Sequence, residues 1–208
     1  MSAANAAMNP AQKRIHQAAM RLLAERDVSQ VSIRELALAA GVARGTIYNN
    51  QISTESMFDD VAGQMEAEMR QRVQKSLVTT DDPAQRLANA MRFFIRRAYE
   101  EPDWGRFFVR FAHSARSLRE LLNGQAAQDL FTGLDQGRYQ FHREQLQSVL
   151  AIISGSVHAA MILVVEGHKS WREAGADTAE LVLRALGIEA AEARTIATQE
   201  LPPLSAID

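Results

Sequence analysis

Apolar residues recur with a helical period along most of this chain. The first such segment opens at Pro10, and its apolar residues lie three or four positions apart on one helical face. They are Ile15, Ala18, Ala19, Leu22 and Leu23. β-branched and polar residues do not alternate over any run that would indicate a strand. The pattern predicts an all-α fold, preceded by a disordered N-terminal tail at residues 1–9.

Residues 32–57 hold two short helices joined by a glycine turn. Ser32 is a good N-cap, and Glu35 three residues later completes a capping box. The apolar face of this second helix consists of Ile33, Leu36, Ala37 and Ala40. Gly41 can adopt the positive φ that a sharp turn needs, and a third helix follows at residues 43–50. We therefore predict a helix-turn-helix unit at residues 10–54.

The rest of the chain, residues 55–208, is predicted to form one larger helical body. A fourth helix starts at Ser53 or Thr54, and a fifth runs from the turn at Pro83 to Glu101. The next predicted helix carries an aromatic face. Two shorter helices are predicted within residues 115–142, a long helix at residues 143–169, another after Gly175, and a last short helix before Pro202. The aromatic face consists of Trp104, Phe107, Phe108 and Phe111.

The polar side of the third helix carries groups that bond to phosphates and base edges. They are Arg44, Thr46, Tyr48, Asn49 and Asn50. Residues 10–54 have a net charge of +3, whereas the whole chain has a net charge of −2, so the remainder carries −5. This mildly basic N-terminal part favours contact with a nucleic-acid backbone.

Several classes of function lack their usual sequence signals. The chain has no cysteine, which excludes disulfides and thiolate metal sites. The histidines show no metal-ligand spacing, and neither a phosphate-binding glycine loop nor a nucleophile elbow is present. We therefore predict no cofactor, no metal and no enzymatic activity. No signal peptide is recognised, and the longest apolar run, residues 159–165, is too short for a membrane span, so we expect a cytoplasmic protein.

The head resembles the TetR family of transcriptional regulators. The similar phrases are residues 33–37, Gly41 to Tyr48, then Ser53, Glu55 and Met57, with residues 183–187 and the pair Pro202-Pro203 near the C-terminus. The resemblance implies a three-helix DNA-binding head, with the third helix in the major groove. It also implies a larger body for effector binding and dimerisation.

By this resemblance, Arg44 reads a guanine edge and Thr46 and Tyr48 contact phosphates. The full predicted DNA-binding set is Ser32, Arg44, Gly45, Thr46, Tyr48, Asn49 and Asn50. Ser32 is equally explained as a plain N-cap. The chain departs from the family at Asn50, Gln51 and Thr54, where histidine, an aromatic residue and lysine are usual. The last two departures weaken the expected DNA affinity, because a missing phosphate contact lowers the salt slope by roughly 0.9.

The resemblance also implies two partners besides double-stranded DNA. A homodimer through residues 143–169 and 177–187 would read a palindromic operator, as a repressor. A small, largely apolar effector would bind in the body and act on the head through the fourth helix. The candidate lining residues are Phe94 (or Phe93), Trp104, Phe107, Phe108, Phe111, His158, Met161 and Val165. Each of the aromatic residues is equally explained as ordinary core, and a histidine on an apolar helix, such as His158, is more often a core residue than a ligand anchor.

Two alternatives remain open from the residues. One is a helical adaptor or sensor with weakened DNA binding, for which Gln51 and Thr54 are the signals. The other is a helical enzyme without a recognisable motif. A DNA-binding measurement separates the first alternative from the regulator, and an activity screen is needed for the second.

Overall fold

A computed structural model describes residues 9–25, 31–49, 54–111 and 124–206, except the side chains of residues 23–25, 48–49, 54–60 and 111. Within these ranges every regular element is helical, which confirms the predicted fold class. The predicted tail lies outside the described residues except for Asn9. That residue exchanges 2.9 Å hydrogen bonds between backbone N–H and side-chain oxygen with Gln12, and so closes the start of the first helix.

Three helices form the N-terminal head: α1 (Pro10–Glu25), α2 (Ile33–Ala40) and α3 (Arg44–Asn49). α1 packs against α2, and α2 packs against α3. The predicted capping box is present, and Gly41 ends α2 at φ 61°, a left-handed conformation that glycine adopts without steric cost. Buried side chains from each helix, including Ile15, Leu36 and Ile47, fill the space between them.

The body is built around α5 (Pro83–Glu100), which packs against most of the other helices. These are α4 (Thr54–Ser76), α6 (Pro102–Phe111), α7 (Gln125–Asp135), α8 (Leu146–Val165), α9 (Trp171–Ala185) and α10 (Ala190–Thr198). A single 3₁₀ turn, Arg143–Gln145, leads into α8. The helix order matches the expectation wherever the structure describes the chain.

The start of α9 differs from the prediction. We expected this helix after Gly175, but it begins at Trp171, because Ser170 and Glu173 form a capping box. Gly175 is therefore inside the helix and buried. A Cβ at this position would lie 3.3 Å from Cγ of Arg92, so the glycine allows α9 to approach α5 closely.

The head and body share one hydrophobic core. Buried residues of the head, such as Ile15 and Leu36, belong to the same cluster as Met69, Phe93 and Phe107 of the body. α1 packs directly against α6, and α4 contacts both of them. A second cluster lies among α5, α7, α8, α9 and α10. The packing therefore gives the head two contacts with the body, through α4 and through α6.

Candidate functional site

The exposed side of α3 is the first candidate site. Arg44 and Gly45 are exposed, and Thr46 is half-buried. Ile47 is buried against the head core, so it fixes which side of the helix faces outward. The helix thus presents a cation and a hydroxyl beside a position with no side chain, a surface that a nucleic acid can approach closely.

Ser32 occupies the N-cap of α2. Its Oγ accepts a 3.2 Å hydrogen bond from the Glu35 amide and lies 3.0 Å from Glu35 Oε2. Its exposed position also leaves it open to a phosphate, so that contact stays a prediction beside the established cap.

Several of the predicted DNA-contact residues lie wholly or partly outside the residues that the structure describes. Tyr48 and Asn49 belong to α3, but their side chains are not described; Asn50 and Gln51 lie wholly outside the described residues. Thr54 begins α4, again without a described side chain.

A cavity in the body is the second candidate site. Its volume is about 150 Å³, and α4, α5, α6, α7 and α8 each contribute to its wall. Four of the predicted lining residues do line it: Phe94, Phe108, His158 and Met161. Most of the remaining wall is aliphatic, so the cavity suits an apolar molecule with few polar groups.

The other predicted lining residues lie elsewhere. Trp104 is buried behind the wall, with its ring stacked on that of Phe108 at 4.6 Å between centroids. Phe107 and Phe93 are fully buried in the shared core, and Val165 packs at its edge. These side chains share helices with the lining residues but project toward neighbouring helices. The side chain of Phe111 is outside the described residues.

Sequence reasoning missed a larger part of the wall. The additional lining residues are Glu66, Arg70, Leu87, Ala90, Met91, Ala126, Leu130, Leu150, Ile153, Ser154 and Val157. One signal was available for Glu66, which falls in the same helical register as the buried residues Ala62, Met69 and Val73. A carboxylate at a buried position of an amphipathic helix indicates a special environment.

A cluster of charged side chains holds α4 against α5 at one side of the cavity. Arg97 is only 5% exposed; its Nη2 lies 3.1 Å from Glu68 Oε1 and its Nε 3.1 Å from Glu101 Oε1. Its guanidinium also stands 4.5 Å from the ring centre of Trp104, a cation–π distance. Arg97 thus joins α4 to the aromatic side chains behind the cavity wall.

These features define a class of protein: a helix-turn-helix head with a polar third helix, joined to a helical body that encloses an apolar cavity. Two family models match the chain. One is described as bacterial regulatory proteins, tetR family, at residues 15–61, and the other as tetracyclin repressor-like, C-terminal domain, at residues 82–199. The chain belongs to the TetR family. It is a ligand-responsive, DNA-binding transcriptional regulator.

Solved structures agree with this assignment. RolR, whose structure was solved in complex with resorcinol, has 30% sequence identity to this chain. The two structures have a TM-score of 0.75 over 94% of this chain and 96% of RolR. A putative TetR-family regulator from Shewanella sp. PV-4 is 19% identical, with a TM-score of 0.75 over 88% and 100% of the two chains. FadR from Bacillus subtilis in complex with stearoyl-CoA is 17% identical, with a TM-score of 0.72 over 85% and 99%. No curated protein sequence matches significantly.

The family and its structural neighbours are transcription regulators, a class that generally lacks enzymatic activity. Among the described residues, no group of three or more histidines and carboxylates is arranged to hold a metal ion.

Proposed function

We propose that this protein is a homodimeric cytoplasmic repressor, released from a palindromic operator by a small, largely apolar effector. The observation that carries this proposal is the position of the cavity. Its wall includes side chains of α4 and α6, and these two helices also contact α1 of the head. A molecule bound in the cavity would therefore touch the elements that hold the head.

The proposed DNA-binding surface is the exposed side of α3. Arg44 is the proposed base-reading residue, because a guanidinium makes a bidentate contact with a guanine edge. Thr46 and Tyr48 are assigned to phosphates, Asn49 and Asn50 to base or backbone, and Gly45 lets α3 approach the groove. Ser32 would add a phosphate contact from the start of α2. The exposure of Arg44 and Gly45 supports this assignment.

Exposed apolar side chains on α8 and α9 support the proposed dimer. Ile152 is 57% exposed and Leu181 is 61% exposed, and Ile162 and Leu163 are also exposed. Beside them, a Cβ at Gly155 would meet no heavy atom within 4 Å. A mid-helix glycine costs about 1 kcal/mol relative to alanine. Apolar residues around an unfilled glycine position suit close approach of a second helix pair, within residues 143–169 and 177–187.

By length and composition alone, the same helix could cross a lipid bilayer. The segment Arg143–Val165 has a mean hydropathy of 2.2 over its most apolar window, although its longest unbroken apolar run is short. TetR-family regulators are soluble DNA-binding proteins, and α8 packs against α5 and α9. We assign the exposed apolar surface to the dimer rather than to a lipid bilayer.

Release from DNA is proposed to follow from a population shift. An effector moves the equilibrium only if it binds more tightly to the conformation that fits the operator badly. Because α4 and α6 each contact the head, a small rearrangement at the cavity would change the separation of the two heads. The resorcinol complex of RolR, a relative of 30% identity, supports a small effector.

Fluorescence anisotropy tests the DNA-binding part of the proposal. Purified protein is titrated against duplex DNA from upstream of its own gene, with scrambled duplex as competitor. Arg44→Ala should weaken binding to this upstream duplex by about 1–3 kcal/mol, roughly 5- to 150-fold. The matched control is Arg194→Ala, which removes an exposed arginine from α10 in the body and should leave binding unchanged.

Pooled genomic fragments extend the test to an operator located elsewhere. Selective capture of particular fragments, lost in Arg44→Ala, supports the regulator. If no fragment binds more tightly than scrambled duplex, the head does not read DNA. The adaptor alternative, for which Gln51 and Thr54 are the sequence signals, then replaces the repressor.

A further inference from the structure

Glu66 is a buried carboxylate in the wall of a largely apolar cavity. Only 6% of the residue is exposed, and its Oε2 lies 3.6 Å from Nη1 of Arg70 one turn further along α4. Arg70 lines the same cavity and is about one-third exposed. Burying a charge is costly unless an opposite charge accompanies it, and Arg70 provides that charge. The two side chains form a charged, polar end in a mostly apolar wall, whose other polar residues are Ser154 and His158.

The charges of this pair select for a neutral ligand. A carboxylate ligand would meet the Glu66 carboxylate, and a cationic ligand would meet Arg70, in surroundings where like charges repel strongly. A hydroxyl group avoids both conflicts, because it donates a hydrogen bond to Glu66 and accepts one from Arg70. A carboxylate offers about four acceptor sites, so Glu66 can accept this bond in addition to those from its protein partners.

Two aromatic side chains in the cavity wall, Phe94 and Phe108, favour a flat ring. The rings of Phe94 and Phe108 are 5.6 Å apart between centroids and inclined by 56°. Phe108 is held in place by its stacking on Trp104. Ala90, one turn before Phe94 on α5, also lines the cavity and has a small side chain. An aromatic ligand can pack edge-to-face or offset against such a pair and gain more than an aliphatic ring of equal area.

We propose that the effector is a neutral hydroxylated aromatic compound of the phenol class. Its hydroxyl group binds Glu66 and Arg70 of α4, and its ring packs against Phe94 and Phe108. This assignment rests on the proposed function in that it makes the ligand of this cavity the effector. It also places the polar contact on the helix that connects the body to the head.

A matched set of four probes tests this assignment by isothermal titration calorimetry on the full-length protein without DNA. The probes are 4-ethylphenol, ethylbenzene, 4-ethylbenzoate and 4-ethylcyclohexanol, which separate the hydroxyl group, the charge and the aromatic ring. We expect 4-ethylphenol to bind about tenfold or more tightly than each of the others, since a hydrogen bond to a charged group is among the stronger ones. This comparison uses the unmodified protein and is independent of any variant's folding.

Glu66→Gln identifies the side chain that binds the hydroxyl group. The variant should weaken 4-ethylphenol binding about fivefold to tenfold, because a neutral acceptor forms a weaker hydrogen bond than a carboxylate. Binding of ethylbenzene should change less than twofold. Glu100→Gln is the matched control, because it removes an exposed carboxylate from another i,i+4 pair with an arginine, Arg96, and should affect neither probe.

Several results would overturn the assignment. Equal affinity for 4-ethylphenol and ethylbenzene would show that the polar end does not bind the ligand, and tighter binding of 4-ethylbenzoate would show an anion site. Equal binding of 4-ethylcyclohexanol would remove the aromatic requirement, and no binding of any probe would reject the phenol class. The proposed function fails separately: 4-ethylphenol can bind as predicted while Arg44→Ala leaves DNA binding unchanged.

Discussion

Asp82 shows how one residue connects distant parts of the body. Its Oδ1 and Oδ2 accept hydrogen bonds from the amides of Ala84 and Gln85, which caps α5, and both oxygens also bind Arg138 at 2.9 and 3.0 Å. Arg138, located after α7, reaches Glu192 of α10 at 2.9 Å as well. Through Arg138, Asp82 therefore connects the starts of α5 and α10 to the segment that follows α7.

The same contacts predict a pH dependence of stability. Burial raises the pKa of Asp82, but the hydrogen bonds from Arg138 and from the two amides outweigh it, so its pKa lies below the ordinary value of 3.8. A carboxyl whose pKa is depressed by folding stabilises the protein above the unfolded pKa. That contribution is lost as the pH falls through the folded pKa. The free energy of unfolding should therefore decrease below about pH 4.

Urea unfolding of Asp82→Asn between pH 7 and pH 2.5 checks this prediction. At pH 7 the variant should be less stable by about 0.5–1 kcal/mol, since the pair is partly exposed. The difference should shrink toward pH 2.5. Asp103→Asn removes an exposed carboxylate that contacts Arg106, and should cost less than about 0.5 kcal/mol. A constant difference for Asp82→Asn across the whole pH range would contradict the prediction.

At the scale of elements, the C-terminal segment holds the second half of α4. Arg72 Nε donates to the Ser205 carbonyl at 2.9 Å, and Lys75 Nζ donates to the Ala206 carbonyl at 3.1 Å. The Ser205 amide donates to Ser76 Oγ at 2.8 Å, and Leu201 is buried in the shared core. These contacts fix the C-terminal end of α4 to the rest of the body.

Shortening the chain tests this fixed end. A protein ending at Pro203 should lose the three contacts with α4, and the amides of the last α4 turns should exchange hydrogen at least tenfold faster. A protein ending at Ala206 keeps these contacts and is the matched control. Hydrogen exchange followed by mass spectrometry measures both. Equal protection of α4 in the two proteins would show that the C-terminal segment does not hold the helix.

At the scale of the whole molecule, the proposed dimer decides how many heads bind DNA together. Ile152→Glu places a charge in the exposed apolar surface of α8 and should weaken association at least 100-fold, because an unpaired charge would be buried between subunits. The control is Val78→Glu, since Val78 is 75% exposed and lies outside the proposed interface.

Sedimentation velocity measures the association, and anisotropy with a selected duplex measures its consequence. The Ile152→Glu protein should sediment as a monomer and bind the duplex weakly, since one head reads few base pairs. The Val78→Glu protein should remain a dimer. If Ile152→Glu also remains a dimer, the subunits associate through another surface.

The sequence alone determined the helices and the form of the head. Amphipathic spacing, the Ser32–Glu35 capping box and the turn at Gly41 all depend on residues a few positions apart, so they could be recognised without a structure. The same reasoning missed the capping box at Ser170, where the signal was equally local, and placed the start of α9 too late.

Only the tertiary structure decided which side chains line the cavity. Trp104, Phe107 and Phe108 lie on one predicted face of α6, yet of these three only Phe108 lines the cavity, because Trp104 and Phe107 are buried in the core that the body shares with the head. Glu66 lines the cavity only because of the way α4 packs against the other helices. Helical spacing specifies which residues share a face, whereas the neighbour that covers each part of it is fixed by contacts between residues far apart in the chain.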